Sequence, residues 1–188
     1  MHTLDQQTGH RELPGETVIV SLLNADNRDE YLATYKTAST FAAIYEKSED
    51  VWEHMHRYFG TDKDFAVRYL ILEKDIRTPC GFLNYENQGG NPALDIAIAP
   101  AYRQKGYGFD AARTLCRYLL SQDDVEKIIW NVLPSNIASV RIAEKLGGKQ
   151  IPWPDMISEA FDVAFGDMSG LENLPSTITY AITQIEKQ

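Results

Sequence analysis

The apolar positions along the chain change their period several times, and each change predicts an element. Thr17 to Leu23 is a run of β-formers and predicts a first strand. Asn24 to Asp29 is polar and supplies helix caps. Beyond it Leu32, Tyr35, Ala38, Ala42 and Tyr45 recur at helical spacing. A second short helix is predicted from Ser48, with Trp52, Met55 and Phe59 on one side and a stop at Gly60. Three β segments then lie close together: Phe65–Glu73, Gly81–Glu86 after Thr78-Pro79, and Leu94–Ala99 after the Gly-rich turn Gln88–Pro92. Connections this short predict an antiparallel meander.

Further on the pattern alternates. A helix is predicted over Phe109–Ser121, with Ala112, Leu115, Cys116, Leu119 and Leu120 on one stripe. An apolar strand follows over Val125–Leu133, then a helix over Asn136–Leu146 stopped by Gly147-Gly148. Strand, helix, strand, helix predicts a crossover with parallel pairing. Met156, Ile157, Ala160, Phe161, Ala164 and Phe165 form another helical stripe. Gly166–Pro175 reads as a loop, and Ser176–Ile185, alternating at Ile178, Tyr180 and Ile182, as a closing strand. The fold class is α/β or α+β: a mostly antiparallel sheet with helices packed on it. Residues 1–16 read as a flexible leader and 17–188 as a single domain, which suits a chain of 188 residues.

Composition narrows the function. Apolar residues make up 44% of the chain and charged residues 24%, as in ordinary globular proteins. No apolar run approaches the roughly 20 residues of a membrane helix, and Met1 to Glu16 lacks a signal-peptide core. A net charge of −9 has the wrong sign for gripping nucleic acid and suits a cationic small molecule or peptide. The two cysteines make no disulfide scaffold, so cytoplasm is the default. Cys116 lies on an apolar stripe and reads as core, whereas Cys80, at a strand start, reads as partly exposed; neither has a nearby His. His54 and His56 are two apart on a predicted helix and face different ways, so no metal is expected.

The stretch with chemistry in it is Leu94-Asp95-Ile96-Ala97-Ile98-Ala99-Pro100-Ala101-Tyr102-Arg103-Gln104-Lys105-Gly106-Tyr107-Gly108. A strand runs into a short basic turn, two glycines and a helix start. Unpaired N–H groups and positive partial charge at a helix start, with glycines that allow close approach, make an anion cradle suited to a pyrophosphate. Arg103 and Lys105 add charge for phosphate oxygens. Taken alone, the same stretch also reads as a plain turn with solvated bases. A P-loop is excluded because no Gly-Lys-Ser/Thr is present. Gly106, Gly108 and Ala111 satisfy a dinucleotide fingerprint, but the next strand ends Trp130-Asn131-Val132-Leu133-Pro134 without the ribose-binding acid.

Arg103-Gln104-Lys105-Gly106-Tyr107-Gly108 matches Gln/Arg-x-x-Gly-x-Gly/Ala, the signature of the GNAT N-acetyltransferase superfamily. Asn136-Ile137-Ala138-Ser139 and Glu144-Lys145-Leu146-Gly147 resemble that family's second helix motif, at the right spacing. The chain resembles the family in element order from Val18 to Gly148 and in motif from Leu94 to Gly148. It is also similar, more distantly, to the ribosomal-protein-type branch. The resemblance implies a GNAT-like sheet with a splayed central strand pair and helices on both faces. It implies acetyl-CoA as co-substrate and a primary amine of a small molecule or protein N-terminus as acceptor, with direct transfer in a ternary complex; a homodimer is compatible with it.

Carried over residue by residue, the pantetheine arm falls on the backbone of Ile96, Ala97 and Ile98, and the pyrophosphate on the N–H groups of Arg103, Gln104, Lys105, Gly106, Tyr107 and Gly108. Asn136 contacts the cofactor, caps its helix, or does both. The chemistry needs a base for the protonated amine and a donor for the developing oxyanion. Ile98 N–H is the donor candidate. Asp95, alternating away from Ile96 and Ile98, is the first base candidate, and Glu86 on the neighbouring strand the second. Many members carry a Tyr as general acid just before the Glu-Lys pair, but this chain has Ala143 there. Either Ser139 or another hydroxyl replaces it, or the thiolate leaves unaided. A CoA-binding sensor or interaction module without turnover is the alternative.

Overall fold

The computed structural model describes residues 12–39, 66–88, 90–152 and 177–185. Its strands are β1 (Glu12–Pro14), β2 (Val18–Leu22), β3 (Ala66–Glu73), β4 (Pro79–Gln88), β5 (Asn91–Ile98), β6 (Ile128–Val132), β7 (Lys149–Ile151) and β8 (Ile178–Ile182). Its helices are α1 (Arg28–Ala38), α2 (Tyr107–Leu119) and α3 (Ile137–Lys145), with a 3-10 turn at Pro100–Tyr102. The strands form one eight-stranded sheet in the order β1-β2-β3-β4-β5-β6-β8-β7. Strands β2 to β5 pair antiparallel throughout, and between β3, β4 and β5 the short connections require it. Among the described strands only β5 and β6 pair in parallel, joined by the α2 crossover.

Two strands were not legible in the pattern, because a segment of three residues has no period to read. One is β7. The other corrects the expected leader: Glu12–Pro14 pairs with Ile19–Ser21, and Gly15 N–H donates to Val18 O at 2.8 Å. The first helix runs to Ala38 and is closed by an extended Ser39. Ala42, Tyr45, the helix expected at 48–60, the stripe at 156–165 and the loop at 166–175 lie outside the described residues.

Alternation along the strands sends side chains to two different layers. Helices α2 and α3 cover one face, where Val18, Val20, Tyr69, Ile71, Leu83 and Leu94 meet Ala112, Leu115, Cys116, Leu119 and Ala143. Helix α1 covers the other, setting Tyr31, Leu32 and Tyr35 on Leu70, Leu72, Phe82 and Ala99. The Tyr35 and Phe82 rings are 4.9 Å apart. Each large side chain fully buried in these layers stabilises the fold by roughly 1.5–3 kcal/mol. Cys80 is also buried, which corrects the expectation of partial exposure: its strand is interior, and burial pushes the thiol up to about 12. Strand β4 closes on β5 at Gly81, where a Cβ would lie 2.5 Å from the Ala97 carbonyl oxygen. Among the described residues no helix is long and apolar enough to cross a membrane.

One buried carboxylate ties the first strands to the second helix. Asp110, in the first turn of α2, is 4% exposed. It accepts from Thr17 N (2.7 Å), Thr17 Oγ1 (3.0 Å), Val18 N (3.2 Å), Glu16 N (3.2 Å) and Arg113 Nη2 (3.0 Å). Arg113 also pairs with Glu16 at 2.7 Å. This network sets the start of α2, and hence the turn before it, against the sheet.

Candidate active site

Strand β5 is paired along its whole length with β4 but meets β6 at a single register position, Ala93↔Ile129. Beyond Ala93 the two strands diverge and leave a gap. The phase of the β4 ladder is set by Ala99 N–H, which donates to Cys80 O at 2.9 Å. By alternation Ala97 turns its backbone groups into that ladder opposite Phe82, while Ile96 and Ile98 turn theirs toward the gap. Of the three residues expected to present backbone, two face the gap and Ala97 does not. The Ile98 carbonyl is taken by Arg103 Nε at 2.9 Å, so Ile98 offers its N–H.

The gap opens onto the turn before α2. Gln104 (φ 64°) and Gly106 (φ 84°) both adopt left-handed backbone, uncommon for a residue with a side chain. The first helical bond is Asp110 N to Gly106 O at 3.0 Å. The N–H groups of Tyr107, Gly108 and Phe109 therefore lie ahead of it, with no capping side chain. A Cβ built on Gly106 meets nothing within 4 Å. Space beside a left-handed glycine, unpaired amides and the positive end of a thirteen-residue helix together fit a diphosphate. Phe109 is an amide donor that the sequence reading did not include. Lys105 bends back from this cradle: its ammonium lies 3.8 Å from Glu73 Oε1 and over the Tyr102 and Tyr107 rings.

A polar row crosses the α1 face beside the gap. Arg68 on β3 is opposite Asn84 on β4, and Asn84 is opposite Asp95 on β5. The row thus spans two strand spacings, about 10 Å. Glu86 stands two residues along β4 from Asn84, on the same face. The buried Tyr31 of α1 donates its hydroxyl to Asn84 Oδ1 at 2.9 Å. The Asp95 side chain is open to solvent, yet protein surrounds it closely enough that desolvation raises its carboxyl, opposed by the Ile96 N–H. Burial likewise raises Glu86; Arg68 opposes that shift and the Asp95 charge adds to it. Burial also lowers Arg68, with Tyr31 and Glu86 opposing. Asp95 and Glu86 are thus brought together. Arg68, Asn84 and Tyr31 join them without any signal in the sequence, because only strand register aligns them.

Residues 18–149 match the profile of the acetyltransferase (GNAT) domain. The chain belongs to the GNAT acetyltransferases. Among its relatives is the uncharacterized N-acetyltransferase YjdG of Bacillus subtilis (strain 168), 32% identical over 141 residues, covering 70% of this chain and 83% of the relative. The fold is also that of the ribosomal L7/L12 alpha-N-protein acetyltransferase RimL, solved in complex with coenzyme A. The TM-score is 0.65 at 12% identity, covering 93% of this chain and 97% of the other. A GNAT-family acetyltransferase from Bacillus anthracis aligns with a TM-score of 0.64 at 17% identity, over 92% and 98% of the two chains.

As a GNAT enzyme this protein is an acetyltransferase, and the family's donor is acetyl-CoA. On the second motif, Asn136 is the cap of α3, its side chain accepting from Ser139 N at 3.2 Å. The Ser139 hydroxyl accepts from the Trp130 indole N–H at 2.9 Å. Trp130 packs in the α2–α3 layer, so Ser139 stands across the sheet from Asp95 and Glu86. Ala143 is fully buried against the same layer. Among the described residues no cluster of His, Cys, Asp or Glu is arranged to hold a metal ion.

Proposed function

We propose that this GNAT enzyme transfers acetyl from acetyl-CoA directly to a primary amine lying on the α1 face beside Asp95. The observation that carries the reading is that one strand serves two sides. Ile96 and Ile98 of β5 turn backbone toward the gap, and Asp95, just before Ile96, stands on the α1 face opposite Asn84. The gap and the cradle of Gln104 to Phe109 hold the cofactor, which supplies an acyl thioester. Asp95 accepts the proton that an ammonium must lose before its nitrogen can attack. Ile98 N–H supplies a fixed dipole inside the gap. Glu86 and Asp95 favour a positively charged acceptor, of a small molecule or a peptide N-terminus. The two buried, unbridged cysteines fit a reducing, cytoplasmic setting.

The test is release of the coenzyme A thiol from acetyl-CoA across a panel of amines and peptides. Amine-dependent release, greatest for cationic acceptors, is the expected result. Binding of acetyl-CoA with no release for any amine overturns the reading in favour of a turnover-free binding module, which the buried Ala143 in place of the usual acid would favour. The cradle carries its own prediction. Gly106→Ala forces a side chain into left-handed backbone at a cost of about 1–2 kcal/mol. It is expected to weaken coenzyme A about tenfold by calorimetry.

A further inference from the structure

We infer that Glu73 is a positioning residue for the cofactor turn, holding Lys105 and Tyr107 on either side of Gly106. The inference rests on the acetyl-CoA reading above. Tyr107 Oη donates to Glu73 Oε1 at 2.5 Å, and Lys105 Nζ lies 3.8 Å from the same oxygen. The Lys105 ammonium sits 5.1 Å from the Tyr102 ring centre and 5.7 Å from that of Tyr107. Lys105 and Tyr107 occupy positions that the family signature leaves unrestricted, so this clasp belongs to this chain's own residues.

Glu73 is built to be a fixed point. It ends β3, its side chain is 13% exposed, and both its backbone groups are engaged: its N–H donates to Thr78 O at 2.9 Å and its carbonyl accepts from Arg77 N at 2.8 Å. The turn it faces is otherwise hard to hold. Gln104 and Gly106 are both left-handed, and ordering such a segment carries a backbone entropy cost at every residue. Arg103 fixes the near end of the turn on Ile98 O, and Glu73 fixes the far end. Between the two anchors the amides of the cradle stay aimed at one place before any ligand arrives, which raises affinity without adding a contact. The geometry also places the Lys105 charge on Glu73 rather than in the cradle, leaving the diphosphate to the amides and the helix end.

The experiment is calorimetric titration of coenzyme A into wild type, Tyr107→Phe, Glu73→Ala, Glu73→Gln and the double variant Tyr107→Phe/Glu73→Ala, each checked by thermal melting. Tyr107→Phe and Glu73→Ala are each expected to weaken binding about 5- to 10-fold. The double variant should be no weaker than either, because both remove one tether. Glu73→Gln keeps an acceptor for the Tyr107 hydroxyl and should restore most of the affinity, a rescue that loss of charge alone would not produce. Wild-type affinity in Tyr107→Phe, or losses that add in the double variant, overturns the inference. If Glu73→Ala does not fold, Tyr107→Phe and Glu73→Gln decide it between them. Failure of the wild type to bind coenzyme A would instead strike the acetyl-CoA reading itself.

Discussion

Asp95→Asn is expected to lower kcat/KM for the best amine found in the thiol-release screen by about 10²- to 10⁴-fold, the contribution typical of a positioned base. Coenzyme A affinity should stay within twofold of wild type, because Asp95 stands on the α1 face while the groups proposed to hold the cofactor are the gap-side backbone and the turn before α2. The pH profile gives a second check. The carboxyl must be ionised to accept a proton, and surrounding protein raises it above its ordinary value. The acidic limb of the wild-type profile should therefore fall at a pH above the usual aspartate value near 3.9, and Asp95→Asn should lack that limb. Stability moves the other way. A carboxyl raised in the native state binds its proton more tightly folded than unfolded, so the fold loses stability as pH rises past the unfolded value. At neutral pH Asp95→Asn should be at least as stable as wild type. Undiminished turnover in this variant would remove Asp95 as base and move attention to Glu86.

Asp110→Ala is expected to destabilise the protein by about 3–5 kcal/mol, lowering the melting temperature by about 8–15 °C. The carboxylate is buried and accepts from backbone and side chain of Thr17, from Val18 and Glu16, and from Arg113. Its removal strands the buried Val18 amide, costing about 1–3 kcal/mol, and takes the acceptor from the part-buried Thr17 amide. Arg113 keeps Glu16 as a partner, which holds the loss below the sum of the parts. The pH dependence has a definite sign. Burial alone would raise Asp110, but the donors from Thr17, Glu16 and Arg113 outweigh it and leave its carboxyl below the usual range. Its stabilisation is therefore present above the unfolded value near 3.9 and is lost as pH falls through the lower native one. Denaturant midpoints across that acidic window should drop for wild type and change less for Asp110→Asn. Equal acid sensitivity in the two proteins would show that the network carries no such charge. Asp110 begins the helix whose first amides form the cradle, so the same variant should also weaken coenzyme A.

The turn before α2 was legible before folding in its backbone, though not in where Lys105 lies. Gly106, Gly108 and the apolar stripe of the following helix specify a tight turn and a helix start, because left-handed backbone and unpaired first-turn amides depend only on a few neighbouring residues. The same holds for Asn136, which caps α3 through the amide of Ser139 three residues on. Alternation also placed Asp95 opposite Ile96 and Ile98 correctly. Contacts made across the sheet were not legible. Arg68, Asn84 and Asp95 form a row because β3, β4 and β5 pair in one register out of several the turns between them allow. The hold of Asp110 on Thr17 joins residues 93 apart in the chain. Glu73 meets Tyr107 only because the end of β3 comes beneath the start of α2. Side-chain period records which way a residue faces and nothing about what it will face. The glycine turn and its uncapped amides are thus a property of local sequence, whereas the Arg68–Asn84–Asp95 row and the contacts of Glu73 and Asp110 exist only once distant strands have been brought side by side.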